Sequence, residues 1–238
     1  MLVAARRTGL GQVRAYLAAD ILRRLSERSR LAPTVMDLAP ERENDLRAVC
    51  AGLNIHPPRQ TLTAPVSDQL TGLFADGIRE PVFDVGVRVE PAGPAVERLA
   101  AYWIDVAGAG EAARGETRGP LPERLEVAEE PLAVRMRLMR HGYGEPVGDG
   151  GDLGGEIATL TRWRKLVAGW ARSPSGPMSA RYATAFTASF AGDLDTAAAL
   201  REMDALVADP GEPDGVKFET FAAADMLFGL DLVRDVGW

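Results

Sequence analysis

Two glycines near the start of the chain stand where a backbone can bind phosphate. Gly9 and Gly11 lie between a short apolar stretch and an apolar helical pattern, and Gln12 follows directly. A glycine turn that leads into a helix points backbone N–H groups at an anion, and the helix dipole adds to the attraction. Gln12 adds a neutral side-chain donor. The pattern predicts a phosphate-facing turn; the alternative is a tight strand-to-helix turn without a ligand, which is common in α/β folds.

The chain has few residues of the kinds that bind transition metals. Cys50 is the only cysteine, and the two histidines, His56 and His141, are far apart in sequence. A structural zinc site takes about four thiolate or imidazole ligands at short spacings, so we expect no metal and predict that zinc does not bind. Cys50 lies on an apolar helix face and is predicted to be a core residue. We expect His56 in a loop and His141 at a helix C-terminus.

Basic residues recur on two predicted helices in the second half of the chain. They are Arg135, Arg137 and Arg140 on the first helix, and Arg162, Arg164 and Lys165 on the second. Clustered cations on one surface bind an RNA backbone through its phosphates. Arg135, Arg137, Arg140 and Arg164 are therefore candidate RNA contacts. The alternative is a solvated helical face whose charges are balanced by nearby acids.

The first half of the chain has the pattern of a parallel α/β sheet. Met1–Ala5 is predicted to be a strand, the pattern from Val13 to Leu25 a helix, and Leu31–Leu38 a second strand, which makes a βαβ unit. Val82–Val89 alternates and is β-branched, so we predict a further strand there. The remaining predicted elements are helices at Asn44–Gly52, Val66–Ala75 and Pro94–Tyr102, and a strand at Trp103–Val106.

From Glu129 onward the pattern changes to amphipathic helices. We predict them at Pro131–Arg140, Leu153–Ala171, Pro177–Ala191, Asp195–Val207 and Val216–Gly229. Pro177 suits the first turn of its helix, and Asp195 or Thr196 suits an N-cap. The predicted fold class is α/β, with a reduced Rossmann-like parallel-sheet domain at 1–122 followed by an all-α helical bundle at 123–238. Trp103, Trp163 and Trp170 are expected to anchor a core or a contact between the domains, not to stack on bases.

Composition limits the class of protein and of partner. With 238 residues, 46% of them hydrophobic, the chain can bury a substantial core. The net charge of −7 supplies no overall field that attracts nucleic acid. We find neither a transmembrane segment nor a signal peptide, and so expect no membrane association and a cytoplasmic location. The oligomeric state is left open.

Several segments, in their order and spacing, resemble class I aminoacyl-tRNA synthetases. They are Gly9-Leu10-Gly11-Gln12-Val13-Arg14-Ala15-Tyr16, Ala101-Tyr102-Trp103-Ile104, Pro131-Leu132-Ala133-Val134-Arg135-Met136-Arg137-Leu138, and Gly192-Asp193-Leu194-Asp195-Thr196 with Ala198-Ala199-Leu200. Together they are similar to the cysteinyl-tRNA synthetase branch and to the mycothiol-pathway cysteine ligase. The resemblance implies a nucleotide-binding sheet, ATP as a possible ligand, a helical bundle that contacts tRNA, and a family zinc site.

The chain departs from that family at its reactive motifs. Where the family has His-Ile-Gly-His, this chain has Gly9-Leu10-Gly11-Gln12. The second family signature, Lys-Met-Ser-Lys-Ser, aligns with residues 110–119, which place Gly115 or Glu116 at the key lysine. Preorganised donors of this kind are each worth about 10² to 10³ in rate. Losing several together leaves little adenylation.

We therefore predict a synthetase paralogue that has lost ATP-dependent amino-acid activation and acts through a protein or a tRNA-like RNA. We assign it no catalytic residue. A vestigial nucleotide site comprises Gly9, Gly11, Gln12, Arg114 and Thr117. The alternative is an active ligase that forms an aminoacyl-adenylate from ATP by using arginine and backbone donors in place of the family's histidines and lysines.

Overall fold

A computed structural model describes residues 1–4, 10–37, 43–56, 58, 60–61, 83–89, 96, 98, 100–107, 130–147, 152–191 and 193–237. The chain divides into two compact units. The sheet unit comprises Met1–Ala128 and Gly144–Asp149, and the helical unit comprises Glu129–Tyr143 and Gly150–Trp238. The predicted domain boundary after residue 122 lies outside the described residues.

The described residues of the sheet unit form five parallel strands. They are β1 (Leu2–Ala4), β2 (Met36–Asp37), β3 (Gln60–Thr61), β4 (Phe83–Arg88) and β5 (Ala100–Asp105). Their order across the sheet is β3-β2-β1-β4-β5. The order reverses between β1 and β4, and such a switch point at the carboxyl edge is where open α/β sheets bind ligands.

Two helices of the sheet unit follow the predicted pattern. Helix α1 (Leu10–Arg28) and helix α2 (Glu43–Gly52) connect β1 to β2 and β2 to β3. The apolar residues of α1 pack inward, since Val13, Tyr16, Leu17 and Ile21 are all buried. Cys50 is buried as well, which confirms its predicted place in the core.

The helical unit contains five described helices. They are α3 (Pro131–Met139), α4 (Gly154–Trp170), α5 (Ala180–Ala191), α6 (Thr196–Ala208) and α7 (Asp214–Phe228). Trp163 and Trp170 of α4 each meet the ring of Phe221 on α7 edge-on, with ring centroids 5.6 and 5.2 Å apart. These aromatic contacts fix α4 against α7, and both tryptophans occupy the core as predicted.

Helix ends are set by the expected local chemistry at two places. The side chain of Asp195 accepts a hydrogen bond of 2.7 Å from the amide of Ala198, which confirms the predicted N-cap of α6. Gly229 ends α7 in the left-handed conformation with φ of 61°, a conformation that glycine adopts without steric cost.

Among the described helices, none is long and apolar enough to cross a membrane.

The fold class is confirmed: a parallel Rossmann-like sheet precedes a helical bundle. The following predicted boundaries are wrong. Ala100–Tyr102 belongs to β5 and not to a helix, because β5 pairs with β4 along its whole length. Pro177 precedes its helix, which begins at Ala180. The second strand is only Met36–Asp37. The predicted helix at Val66–Ala75 lies outside the described residues.

Candidate functional site at the carboxyl edge of the sheet

The carboxyl edge of the sheet brings the ends of three strands together. Ala4 of β1 is in register with Arg88 of β4, and Arg88 is in register with Asp105 of β5. The switch point of the sheet lies between β1 and β4. The last residues of β4 and β5 therefore stand at the edge where a parallel sheet presents a ligand site.

Two of these residues form an ion pair. Nε of Arg88 donates to Oδ1 of Asp105 at 2.5 Å, and Nη2 lies 3.5 Å from Oδ2. The guanidinium also stacks over the ring of Trp103, with Cζ 5.1 Å from the ring centroid. The side chain of Arg88 is 15% exposed whereas that of Asp105 is 70% exposed. The pair therefore presents a carboxylate to solvent and keeps its cation covered.

The indole of Trp103 lies against a glycine of the neighbouring strand. Gly86 is in register with Trp103. A Cβ on Gly86 would lie 2.5 Å from two carbons of the indole ring, well inside contact distance. Only glycine at this position leaves room for the indole, which in turn supports the guanidinium of Arg88.

The start of α1 holds part of the predicted nucleotide site. Gly11 and Gln12 lie in the first turn of α1, not in a preceding turn, and both are buried. Gln12 is 7% exposed. Gly9 lies outside the described residues.

Arg14, one turn further along α1, links parts of the sheet unit. Its Nη1 donates to the carbonyl oxygens of Ala107 at 2.9 Å and Glu145 at 2.5 Å. Burial lowers the pKa of Arg14 to about 10, and the charge of Glu145 opposes that shift. The guanidinium thus holds the segment after β5 and the segment around residue 145 to the same helix.

The histidine of the sheet unit lies at the other end of α1. His56 follows α2 and precedes β3, and its Nδ1 lies 2.9 Å from Nη2 of Arg23. Arg23 is 13 residues beyond the first residue of α1, which corresponds to about 20 Å along a helix. His56 is therefore remote from the start of α1.

A buried carboxylate organises that distant end. The side chain of Asp20 accepts from Arg23 at 2.9 Å and from Arg24 at 2.8 Å, and it accepts from the backbone amide of His56 at 3.2 Å. These bonds attach the segment after α2 to α1. The network is a structural tie between two elements.

Two of the four predicted RNA contacts are not on the surface. Arg135 is fully buried and Arg164 is 2% exposed. Arg135 donates to the carbonyl of Phe228 at 2.5 Å. Arg164 donates to the carbonyls of Leu230 and Asp231 and to the carboxylate of Glu130. The predicted RNA face is wrong at these two positions, because both guanidiniums bind the chain's own backbone.

A buried acid also binds the segment that follows α7, whose carbonyls accept from Arg164. Asp225 accepts from the amides of Leu230 and Leu232, each at 2.8 Å. Burial raises the pKa of Asp225, while these two amides oppose the shift. Side chains from α3, α4 and α7 therefore bind the backbone at the end of α7 and just beyond it.

The other two predicted RNA contacts are engaged in ion pairs. Arg137 binds Glu156 through two hydrogen bonds, of 2.8 and 2.6 Å. Arg140 lies 3.8 Å from the same carboxylate. Arg162 on α4 pairs with Asp204 at 2.7 Å. These contacts match the alternative that the sequence offered, a helical face whose charges are balanced by acids.

The remaining predicted residues are distributed through the chain or not described. His141 follows α3, as predicted, in the helical unit. Arg114 and Thr117, together with Gly115 and Glu116, lie outside the described residues. Within the part of the chain that the structure describes, no group of three or more His, Cys, Asp or Glu side chains could hold a metal ion.

The residues that the sequence did not indicate are Arg88 and Asp105. Each is the last residue of a strand, and their opposite charges were visible in the sequence. Their pairing depends on the register of β4 against β5, which a sequence pattern does not supply.

Comparison with known proteins does not indicate a function for the site, since no protein-family model and no curated protein matches the chain.

Proposed function

We propose that this protein is a relative of the cysteinyl branch of class I synthetases that no longer activates an amino acid and acts through a macromolecular partner. The support is the order of its parts: a parallel sheet, a helix with Gly11 and Gln12 in its first turn, and then a helical bundle. The resemblance of the four sequence segments runs through the same parts in the same order.

The position of the histidines carries the proposal. The chain has two histidines. One, His56, bonds to Arg23, about 20 Å from the start of α1, and the other is His141. Neither belongs to the segment Gly9-Leu10-Gly11-Gln12, so the imidazoles that steady a triphosphate in the resembled family have no counterpart in that segment of the sequence. Gln12 offers only a neutral and largely buried group in that turn.

The charge distribution favours a protein over RNA as the partner. Arg135 and Arg164 are buried, and Arg137, Arg140 and Arg162 lie against carboxylates. RNA affinity depends on cations that displace counterions from phosphates. On the sheet unit, by contrast, Tyr102 of β5 is 74% exposed. Exposed tyrosines are frequent anchors of protein interfaces.

An exchange assay tests the loss of activation. Amino-acid-dependent exchange of pyrophosphate into ATP is measured with each of the common amino acids, alongside an active cysteinyl-tRNA synthetase as a positive control. We expect no exchange above the level without amino acid. Robust exchange with any amino acid would establish the alternative, an active ligase, and refute the proposal.

A binding titration tests the choice of partner. Fluorescence polarisation with labelled tRNA is measured from about 50 to 200 mM salt, because phosphate-driven binding weakens steeply over that range. We expect little binding at any salt concentration. Tight binding that weakens with salt, and that falls on replacing Arg137 and Arg140 by Gln, would assign the partner to RNA instead.

A further inference from the structure

Strand β5 forms one edge of the sheet. It pairs with β4 on one side, and among the described residues no strand lies on its other side. At the opposite edge of the sheet, β3 comprises only Gln60 and Thr61, whereas β5 runs over Ala100–Asp105. The outer N–H and C=O groups of an edge strand can pair with a strand of another chain. The outer edge of β5 is therefore the candidate interaction surface.

Every second residue of β5 faces this outer edge. The amide of Val106 donates to the carbonyl of Arg88 on β4 at 2.8 Å. Because backbone N–H groups alternate in direction along a strand, the amides of Ala101 and Asp105 point away from β4. Both residues are exposed. Their backbone groups are the ones that a further strand would meet.

The largest side chain of β5 lies over β4 and not across the outer edge. A Cβ on Gly86 of β4 would lie 2.5 Å from the indole of Trp103, so the ring covers that glycine. Arg88, which is also on β4, stacks on the same ring. The indole therefore leaves the outer side of β5 open to a second strand.

The composition of β5 favours pairing with another strand. Ala100–Asp105 contains neither lysine nor proline, two residues that protect edge strands from other chains. The one charged residue of the strand is Asp105, and Arg88 offsets its charge at 2.5 Å. Tyr102 is 74% exposed. The edge thus combines an exposed aromatic side chain with little net charge.

We propose that the outer edge of β5 pairs antiparallel with the same edge of a second copy of this chain. The strand is self-complementary when the two copies are aligned about Trp103. Tyr102 then lies opposite Ile104 of the second copy, an aromatic and β-branched pair of the kind that stabilises sheets. Ala101 lies opposite Asp105 of the second copy, so no like charges face each other.

The symmetry of this pairing limits the assembly to two chains. Each copy uses the same patch, and an isologous contact of this kind closes on itself. The proposal does not depend on the loss of amino-acid activation, because self-association and pyrophosphate exchange are measured separately.

Self-association of the full chain is the first test. Sedimentation velocity is measured over about a hundredfold range of protein concentration, since dimerisation follows mass action. We expect the 25.5 kDa chain to convert into a species of twice that mass as the concentration rises. A monomer over the whole range would leave this edge to a different protein and would overturn the proposal.

Hydrogen exchange on the unmodified protein locates the interface. The amide of Ala101 should exchange more slowly as the protein concentration rises, because it gains a carbonyl acceptor in the dimer. The amide of Val106 is the internal control, since it is already bonded to Arg88 within one chain, and its rate should stay constant. Dimerisation without protection of Ala101 would place the interface elsewhere and refute the proposal.

Removal of an outward amide is the third test. Ala101→Pro removes a donor that points away from β4, and an edge strand tolerates proline at such a position. We expect the dissociation constant of the dimer to rise by about tenfold or more, because the two-fold symmetry removes the donor twice. Ala101→Ser keeps the amide and is the matched control, which should dimerise like the unmodified protein.

Equal dimerisation of the folded proline variant and the serine control would contradict the proposed pairing. The exchange measurement decides the matter without a variant if Ala101→Pro does not fold.

Discussion

The indole of Trp103 fills the space that a side chain at Gly86 would occupy on the neighbouring strand. The two residues are in register between β4 and β5, and an added Cβ would lie 2.5 Å from the ring. Trp103 in turn supports Arg88 and, through it, Asp105. The geometry of the ion pair between Arg88 and Asp105 therefore depends on the absence of a side chain at residue 86.

Gly86→Ala should destabilise the sheet unit by about 1–3 kcal/mol, because the added methyl overpacks the contact with Trp103. Chemical denaturation followed by tryptophan fluorescence measures the change. Gly169→Ala is the matched control, since its Cβ would meet no atom within 4 Å in α4. The control should be neutral or gain about 0.5–1 kcal/mol from reduced backbone freedom in the unfolded chain. Equal stability of Gly86→Ala and the unmodified protein would show that the strands adjust freely.

Arg164→Met should destabilise the helical unit by about 3 kcal/mol or more, because it leaves buried carbonyls and the carboxylate of Glu130 without their donor. The free energy of unfolding in urea gives the measurement. Arg162→Met, two residues away, removes an exposed pair with Asp204. That control should change stability by less than about 1 kcal/mol. Similar effects of the two substitutions would contradict the internal role assigned to Arg164.

Asp195→Ala should destabilise the helical unit by about 1 kcal/mol, because the amide of Ala198 loses its capping acceptor at the start of α6. Thermal unfolding monitored by circular dichroism measures the loss. Asp195→Asn retains a capping oxygen and should recover most of the stability. If the asparagine variant is as unstable as the alanine variant, the cap is not the source of the effect.

Acid should weaken the helical unit through Glu130 and Glu156. Burial alone raises the pKa of each acid, but hydrogen bonds and charge from Arg164 and Arg137 hold both pKa values below the ordinary value of 4.5. The unfolded chain therefore takes up protons first as the pH falls. The stability that these pairs supply is present above about pH 4.5 and is lost as the pH falls through the lowered pKa values.

The urea midpoint between about pH 7 and pH 3 tests this sign. Glu156→Gln should flatten the acid side of the profile, because one of the carboxylates with a lowered pKa is gone. Asp225 acts in the opposite direction, since burial raises its pKa and its contribution to stability falls as the pH rises through that raised value. An unchanged acid limb in Glu156→Gln would rule out the Arg137 pair as a source of acid sensitivity.

The sequence pattern was sufficient to predict an element where neighbouring residues along the chain determine its structure. The apolar spacing from Val13 to Ile21 predicted α1, and the position of Asp195 predicted the N-cap of α6. The pattern was misleading at Ala100–Tyr102, where a short apolar run fits a helix or a strand and only pairing with β4 selects the strand.

The sequence by itself determined the fold class, because hydrophobic periodicity separates a sheet half from a helical half. It also determined the scarcity of metal ligands, since one cysteine and two histidines are a matter of composition. Only the tertiary structure decided where the charges lie. Arg135 and Arg164 have the same helical spacing as surface arginines, yet both are buried against backbone carbonyls. Arg88 and Asp105 meet only because of strand register, which joins residues that are 17 positions apart.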